Sequence, residues 1–255
     1  MRRILLVLRF DGRRYCGWQV QKNGPSVQAA VQDALERLTG RRPPLTGCGR
    51  TDAGVHALRY YAAFTAENLP PCEKLKKALN ALLPRDIVVS DARPVPLGFH
   101  PRYAAQKKEY VYRLYTSAER DPFLEGLRLH YPHTFDADML NRAAQAFVGR
   151  HDFAGFCSTG GAVKDTVRTV YSLSVRRDER EPRLAEIAVC GDGFLYNMVR
   201  IIAGTLLYVA QGRISPDALP GVLASRDRRL AGPTAPAHGL YLCEVWYPNS
   251  AFDGV

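Results

Sequence analysis

The chain has 255 residues, 46% of them hydrophobic, with 35 lysines and arginines against 25 aspartates and glutamates, giving a formal net charge of +10. That composition supports a globular protein of one large domain or two of about 100–150 residues each. The positive excess points to a polyanionic partner, nucleic acid first, with a solvated basic surface as the plain alternative. Six cysteines, at 16, 48, 72, 157, 190 and 243, form no C-x-x-C pair; this argues against a zinc ribbon or redox motif and for free thiols in a reducing compartment.

Met1-Arg2-Arg3 is basic, but the apolar run Ile4 to Leu8 is too short for a secretory signal, so a cytoplasmic protein is expected. The same run continues to Phe10 as a buried strand. Ser26 then opens a helix whose apolar positions are Val27, Ala30, Val31, Ala34, Leu35 and Leu38, and Gly40 closes it. Tyr60 to Phe64 reads as a strand, Glu73 to Leu83 as a helix and Ile87 to Ala92 as a strand. With a short strand before Gly49, the order is β-α-β-β-α-β. Between Arg93 and Lys108 the pattern stops at Pro94, Pro96, Gly98 and Pro101, which places a domain boundary there, dividing the chain into residues 1–104 and 105–255.

A second alternation follows. Glu109 to Thr116 is an aromatic strand, and Asp136 to Val148 is a helix closed by Gly149. Ser158 to Gly161 reads as a loop. In the strand Val167 to Arg176, period two puts Thr169, Tyr171, Leu173 and Val175 on one face. Leu184 to Cys190 pairs with it across the turn Asp178 to Pro182. Phe194 to Gln211 is a helix, too short and too interrupted by Asn197 and Arg200 to span a membrane, and is expected to be buried. A shorter helix near Pro216 to Ala224 and a strand from Leu240 to Trp246 complete an α+β half similar to the first, with a cleft between the halves as the natural place for a site.

The densest local signal is Gly49-Arg50-Thr51-Asp52-Ala53-Gly54-Val55-His56. Gly54 permits a tight bend that exposes the Asp52 carboxylate, and Arg50 is a cation near enough to keep it ionised. Turn composition alone gives the same string, so a structural and a catalytic reading both stand. Arg200 shares a helical face with Tyr196, Asn197, Ala203 and Gly204; burying it unpaired is costly, so it either faces a cleft and meets Asp52 or bridges some other acid. Tyr110 alternates with Tyr112 and Leu114, a core pattern, unless a nucleobase stacks on it. The six scattered histidines offer no metal-binding spacing. No phosphate-cradling glycine loop follows a strand, so neither a metal nor a nucleotide cofactor is expected. Arg41-Arg42, Lys107-Lys108 and Arg226 to Arg229 fit phosphate contacts or ordinary solvated faces.

Taken in order, Tyr15-Cys16-Gly17-Trp18-Gln19, Ser26-Val27-Gln28, Gly49 to His56, Phe99-His100-Pro101-Arg102, Lys108 to Tyr112, Gly193 to Arg200 and Gly239 to Leu242 closely resemble the tRNA pseudouridine synthase A family over nearly the whole chain. Leu58-Arg59-Tyr60 departs from it where members commonly carry a glycine-glutamine pair. The resemblance implies two ferredoxin-like or RRM-like α/β halves with mainly antiparallel sheets and a catalytic cleft between them. It implies Asp52 as nucleophile, Tyr110 as the aromatic partner of the target uracil, Arg200 as the cation paired with Asp52, and Arg50 as an aid to flipping the nucleotide. Uridine would be extruded, its glycosidic bond cut, the uracil turned and C5 joined to C1′, without metal or cofactor. Whether Asp52 attacks C1′ or C6, and whether Tyr110 is base or platform, stays open. The implied substrate is the anticodon stem-loop of tRNA at positions 38, 39 and 40, and the implied working unit a homodimer. A noncatalytic RNA-binding or RNA-chaperone protein is the alternative from another class, and a metal-dependent nuclease lacks a ligand cluster.

Overall fold

A computed structural model of the chain describes residues 1–160 and 165–252. Gly161, the end of the loop expected from Ser158, lies outside the described residues. The chain divides into two compact units: Met1–Lys107 with Leu242–Val255, and Lys108–Tyr241.

The first unit begins with β1 (Arg2–Phe10), whose residues Ile4 to Leu8 are buried on both strand faces. Helix α1 (Val27–Thr39) starts where the Ser26 hydroxyl accepts the Ala29 N–H and stops where Gly40 turns left-handed at φ 72°. The short strand β2 (Leu45–Gly47), β3 (His56–Ala66), α2 (Cys72–Leu82) and β4 (Ile87–Val95) follow. β3 and β4 flank β1, and β2 lies on the far side of β3, every pair antiparallel. The order β4-β1-β3-β2 is that of two interleaved split β-α-β units, the ferredoxin-like arrangement. β4 runs on through Arg93 and Pro94, where a break was expected; it ends the sheet, and an edge strand tolerates a residue without an N–H.

The second unit contains β5 (Lys107–Thr116), the short β6 (Leu129–Tyr131), α3 (Ala137–Ala144), β7 (Gly149–Asp152), β8 (Val167–Arg177), β9 (Leu184–Gly191), α4 (Met198–Ala210) and α5 (Leu219–Ser225). β5, β9, β8 and β7 are successive antiparallel neighbours, and β6 runs parallel to β5. The sequence β5-β9-β8 repeats the β1-β3-β2 arrangement, so both units are built on one plan. Three expectations are corrected here. The helix from Asp136 gives way to a 3-10 turn at Gln145–Phe147. The buried face of β8 is Val170, Leu173 and Val175, because a bulge between Val170 and Ser172 shifts the alternation and turns Tyr171 outward. The long apolar helix starts at Met198 rather than Phe194, since Asn197 adopts φ 63°.

The chain closes with β10 (Leu240–Trp246), which lies beside β3 and brings Leu242–Val255 into the first unit. A simple cut at 104/105 therefore leaves this last segment with the wrong half. Glu244 holds it there, accepting from the Tyr61 hydroxyl at 3.0 Å and pairing with Arg59. Arg59 and Tyr61 on β3 thus tie the last strand to the first unit. No disulfide joins any of the six cysteines.

Candidate active site

Asp52 sits in a four-residue turn closed by the Val55 N–H donating to the Asp52 carbonyl at 3.2 Å, with Gly54 at φ 79° in the position that a type II turn reserves for glycine. The segment Tyr15–Trp18 clamps this turn from outside. Trp18 N–H donates to the Thr51 carbonyl at 3.3 Å, and the Gly54 N–H donates to the Tyr15 carbonyl at 3.2 Å. The approach is too close for side chains: a Cβ on Gly17 would lie 2.2 Å from the Thr51 carbonyl oxygen, and one on Gly12 2.0 Å from that of Val55. The clamp has its own support, since Trp18 stacks on Tyr60 at 4.1 Å and the Tyr60 hydroxyl donates to the Gly49 carbonyl.

The clamp and the end of the motif have further anchors. The Tyr15 hydroxyl donates to Asp86 at 2.6 Å, and buried His56 accepts the Gly12 N–H on Nδ1 at 3.2 Å. The same Nδ1 lies 3.2 Å from the Asp11 carboxylate, so His56 ties the end of the motif to the loop after β1. The result is a half-buried Asp52 on a rigid turn, flanked by an exposed Arg50. Arg50 makes no ion pair among the described residues, so it does not serve as the carboxylate's fixed counter-ion.

Tyr110 and Arg200 lie in the second unit. On β5 the alternation Tyr110, Tyr112, Leu114 is present, but Tyr112 and Leu114 are fully buried while Tyr110 is only half-buried. The edge of the Phe194 ring meets Tyr110 at 5.3 Å and 87°, and Phe194 in turn fits over Gly191, where a Cβ would lie 3.2 Å from its ring. Tyr110 is therefore a held aromatic surface, and the sequence reading had missed Phe194 as its support.

Arg200 is fixed on two sides. Its Nε donates to the Ala235 carbonyl and its Nη1 to the Asn197 side-chain oxygen, both at 2.7 Å, while the Asn197 amide donates to the Ser158 hydroxyl at 2.9 Å. Tyr196, expected on the same helical face, lies before the helix and is exposed. The loop that carries Ala235 is pressed on α4. A Cβ on Gly204 would lie 1.9 Å from the Pro233 carbonyl oxygen, and the buried Thr205 hydroxyl accepts the Gly232 N–H at 2.8 Å. Tyr112 fastens the next residue, donating to the Pro236 carbonyl at 2.8 Å. Asn197 was visible in the sequence only as a polar member of the helix; its left-handed backbone is the signal that it ends the preceding loop and orients Arg200.

The first unit thus carries a fixed carboxylate, and the second, taken by itself, a fixed guanidinium and a held aromatic ring. These are the groups needed for nucleophilic attack, charge stabilisation and gripping a planar base. Among the described residues, no helix is long and apolar enough to cross a membrane.

Sequence comparison with known proteins gives one family. A family model described as tRNA pseudouridine synthase matches residues 6–104 and 143–248. The chain is 44% identical over 247 residues to the tRNA pseudouridine synthase A of Ruminiclostridium cellulolyticum, a match covering 97% of this chain and 100% of that one. To the protein of the same name from Geotalea uraniireducens it is 46% identical, with the same coverage of both. Among solved structures, one titled as a Cbf5-Nop10-Gar1 complex is similar at 12% identity and a TM-score of 0.36, over 96% of this chain and 58% of that chain.

Proposed function

The chain belongs to the tRNA pseudouridine synthase family, and on that premise we propose that Asp52 is the nucleophile for isomerising uridine at positions 38, 39 and 40 of the tRNA anticodon stem-loop. Arg200 is the cation that pairs with Asp52, Tyr110 holds the target uracil, and Arg50 keeps the extruded nucleotide in place. The enzyme works as a cytoplasmic homodimer and uses neither metal nor cofactor.

The reaction balances within the substrate. The N1–C1′ bond breaks, the C5–C1′ bond forms, the C5 proton leaves and N1 gains one. Asp52 supplies a transient covalent bond: to ribose C1′, holding the sugar while the detached uracil turns in the pocket, or to uracil C6, holding the base itself while it turns. Extruding the nucleotide costs about a few kcal/mol, which stacking and phosphate contacts offset. The observation that carries this reading is the Asp52 turn, clamped by Tyr15–Trp18 at distances that only glycine permits.

Tritium release from tRNA containing 5-tritiated uridine tests the proposal. Wild-type protein releases tritium and Asp52→Asn does not; no release by wild type, or equal release by both, defeats it. An RNA-binding protein without activity gives the first of those failures.

A further inference from the structure

Next to the Asp52 turn, and wholly within the first unit, is an open groove of about 240 Å³ lined among others by Trp18, Gln19, Arg50, His100, Arg102 and Tyr103. Its lining carries two arginines and no acid, whereas the larger groove of the second unit, at Arg128 and Arg176 to Arg180, mixes its arginines with Asp178, Glu179 and Glu186. Neither Arg50 nor Arg102 makes an ion pair among the described residues. Uncompensated guanidinium groups in one groove are suited to phosphate.

Tyr103 stands in this groove 77% exposed, an unusual position for so large an aromatic side chain. It is nevertheless fixed. Its ring stacks on His100 at 4.2 Å and 30°, and the Arg102 guanidinium lies 5.8 Å from its centroid. His100 is itself oriented, its Nδ1 accepting the backbone N–H groups of Arg102 at 3.2 Å and Tyr103 at 3.4 Å. Burial and the nearby Arg3 hold the imidazole below its ordinary pKa. Gln19, also exposed, offers a side-chain amide with both a donor and an acceptor.

A fixed, exposed aromatic ring beside two arginines is the pattern that binds an unpaired nucleotide by stacking and phosphate contact. The groove is smaller than pockets for drug-sized ligands, about 300–1,000 Å³, and suits a single base. Arg50 ties it to the reaction, because it lies two residues from Asp52, at most about 7 Å along the chain. We propose that this groove takes the nucleobase immediately flanking the target uridine, stacked on Tyr103, with Arg50 and Arg102 on the phosphates that bound that nucleotide. The inference rests on the assignment of Asp52 to uridine isomerisation.

The test uses anticodon stem-loop oligonucleotides, either intact or with an abasic ribose directly 5′ or 3′ of the target. Tyr103→Ala raises KM on the intact oligonucleotide about 5- to 150-fold, the range for loss of one base–aromatic stack. It leaves kcat within about twofold, and Tyr103→Phe restores KM. One of the two abasic oligonucleotides shows the same rise with wild-type enzyme and no further rise with Tyr103→Ala. Wild-type KM in folded Tyr103→Ala, or abasic and Tyr103→Ala effects that multiply for both flanking positions, overturns the proposal. Dissociation constants measured with Asp52→Asn protein and its Tyr103→Ala double variant read the groove without turnover. If wild-type enzyme forms no pseudouridine, the functional assignment fails, while these constants still decide whether the groove binds a base.

Discussion

Replacing Gly17 by alanine tests whether the clamp on the Asp52 turn matters to the chemistry. Gly17 has φ +96°, and an added Cβ lies 2.2 Å from the Thr51 carbonyl oxygen and 3.1 Å from the Asp52 carbonyl carbon. Both neighbours are backbone, so no side chain can rotate away; the Thr51–Asp52 peptide must retreat by about 1 Å, a misplacement that costs about 100-fold in rate near a reacting centre. The strained backbone adds roughly 1–3 kcal/mol of destabilisation. The control is Gly40→Ala, also at positive φ, 72°, but with nothing within 4 Å of the added Cβ. Both variants should melt earlier than wild type. At a temperature where all three are folded, only Gly17→Ala should lose kcat, by about 100-fold, for pseudouridine formation at saturating tRNA. Full kcat in folded Gly17→Ala, or an equal loss in Gly40→Ala, would refute the reasoning.

Arg200→Met should bind tRNA within about threefold of wild type but lose about 10²–10³-fold in kcat, as expected when one preorganised charge partner is removed; proportional losses of folding and activity would make the residue structural. Thr205→Val strips the buried Gly232 N–H of its acceptor and should cost about 1–3 kcal/mol in urea unfolding, and an unchanged midpoint would contradict the loop's attachment to α4. Asp11 gives a pH dependence. Partial burial pushes its carboxyl up, but hydrogen bonds from the Arg13 side chain and backbone and the charges of His56 and Arg13 outweigh this and hold it below its ordinary value. A folded-state value below the unfolded one means stability that is complete above about pH 4 and lost as pH falls through the folded value. The stability gap between wild type and Asp11→Asn should therefore narrow below about pH 4, and a gap constant with pH would remove the ion-pair explanation.

The elements most legible in the sequence were those whose signals are local. The unbroken apolar run of β1 and the Ser26 and Gly40 caps of α1 each state their own structure within a few residues. β6 was not legible, because three residues beside β5 carry no periodicity of their own. The face of β8 was misread for a different reason: its period-two pattern is regular, but the bulge after Val170 is set by pairing with β9 and resets the alternation. Pro94 looked like a terminator and is not, because only position at a sheet edge decides whether its missing N–H matters. Around the candidate site the motif residues were legible, whereas their supports were not. Nothing in the sequence announces that the Ala235 carbonyl meets Arg200 or that Phe194 braces Tyr110, since those contacts join segments far apart in the chain.

Chemical mapping of pseudouridine in tRNA treated with the protein examines the central claim most directly. Wild-type protein should convert uridines at positions 38, 39 and 40 and leave others unchanged, and Asp52→Asn should convert none. Conversion by Asp52→Asn at the wild-type rate, or tRNA whose uridines all survive wild-type treatment, would contradict the account.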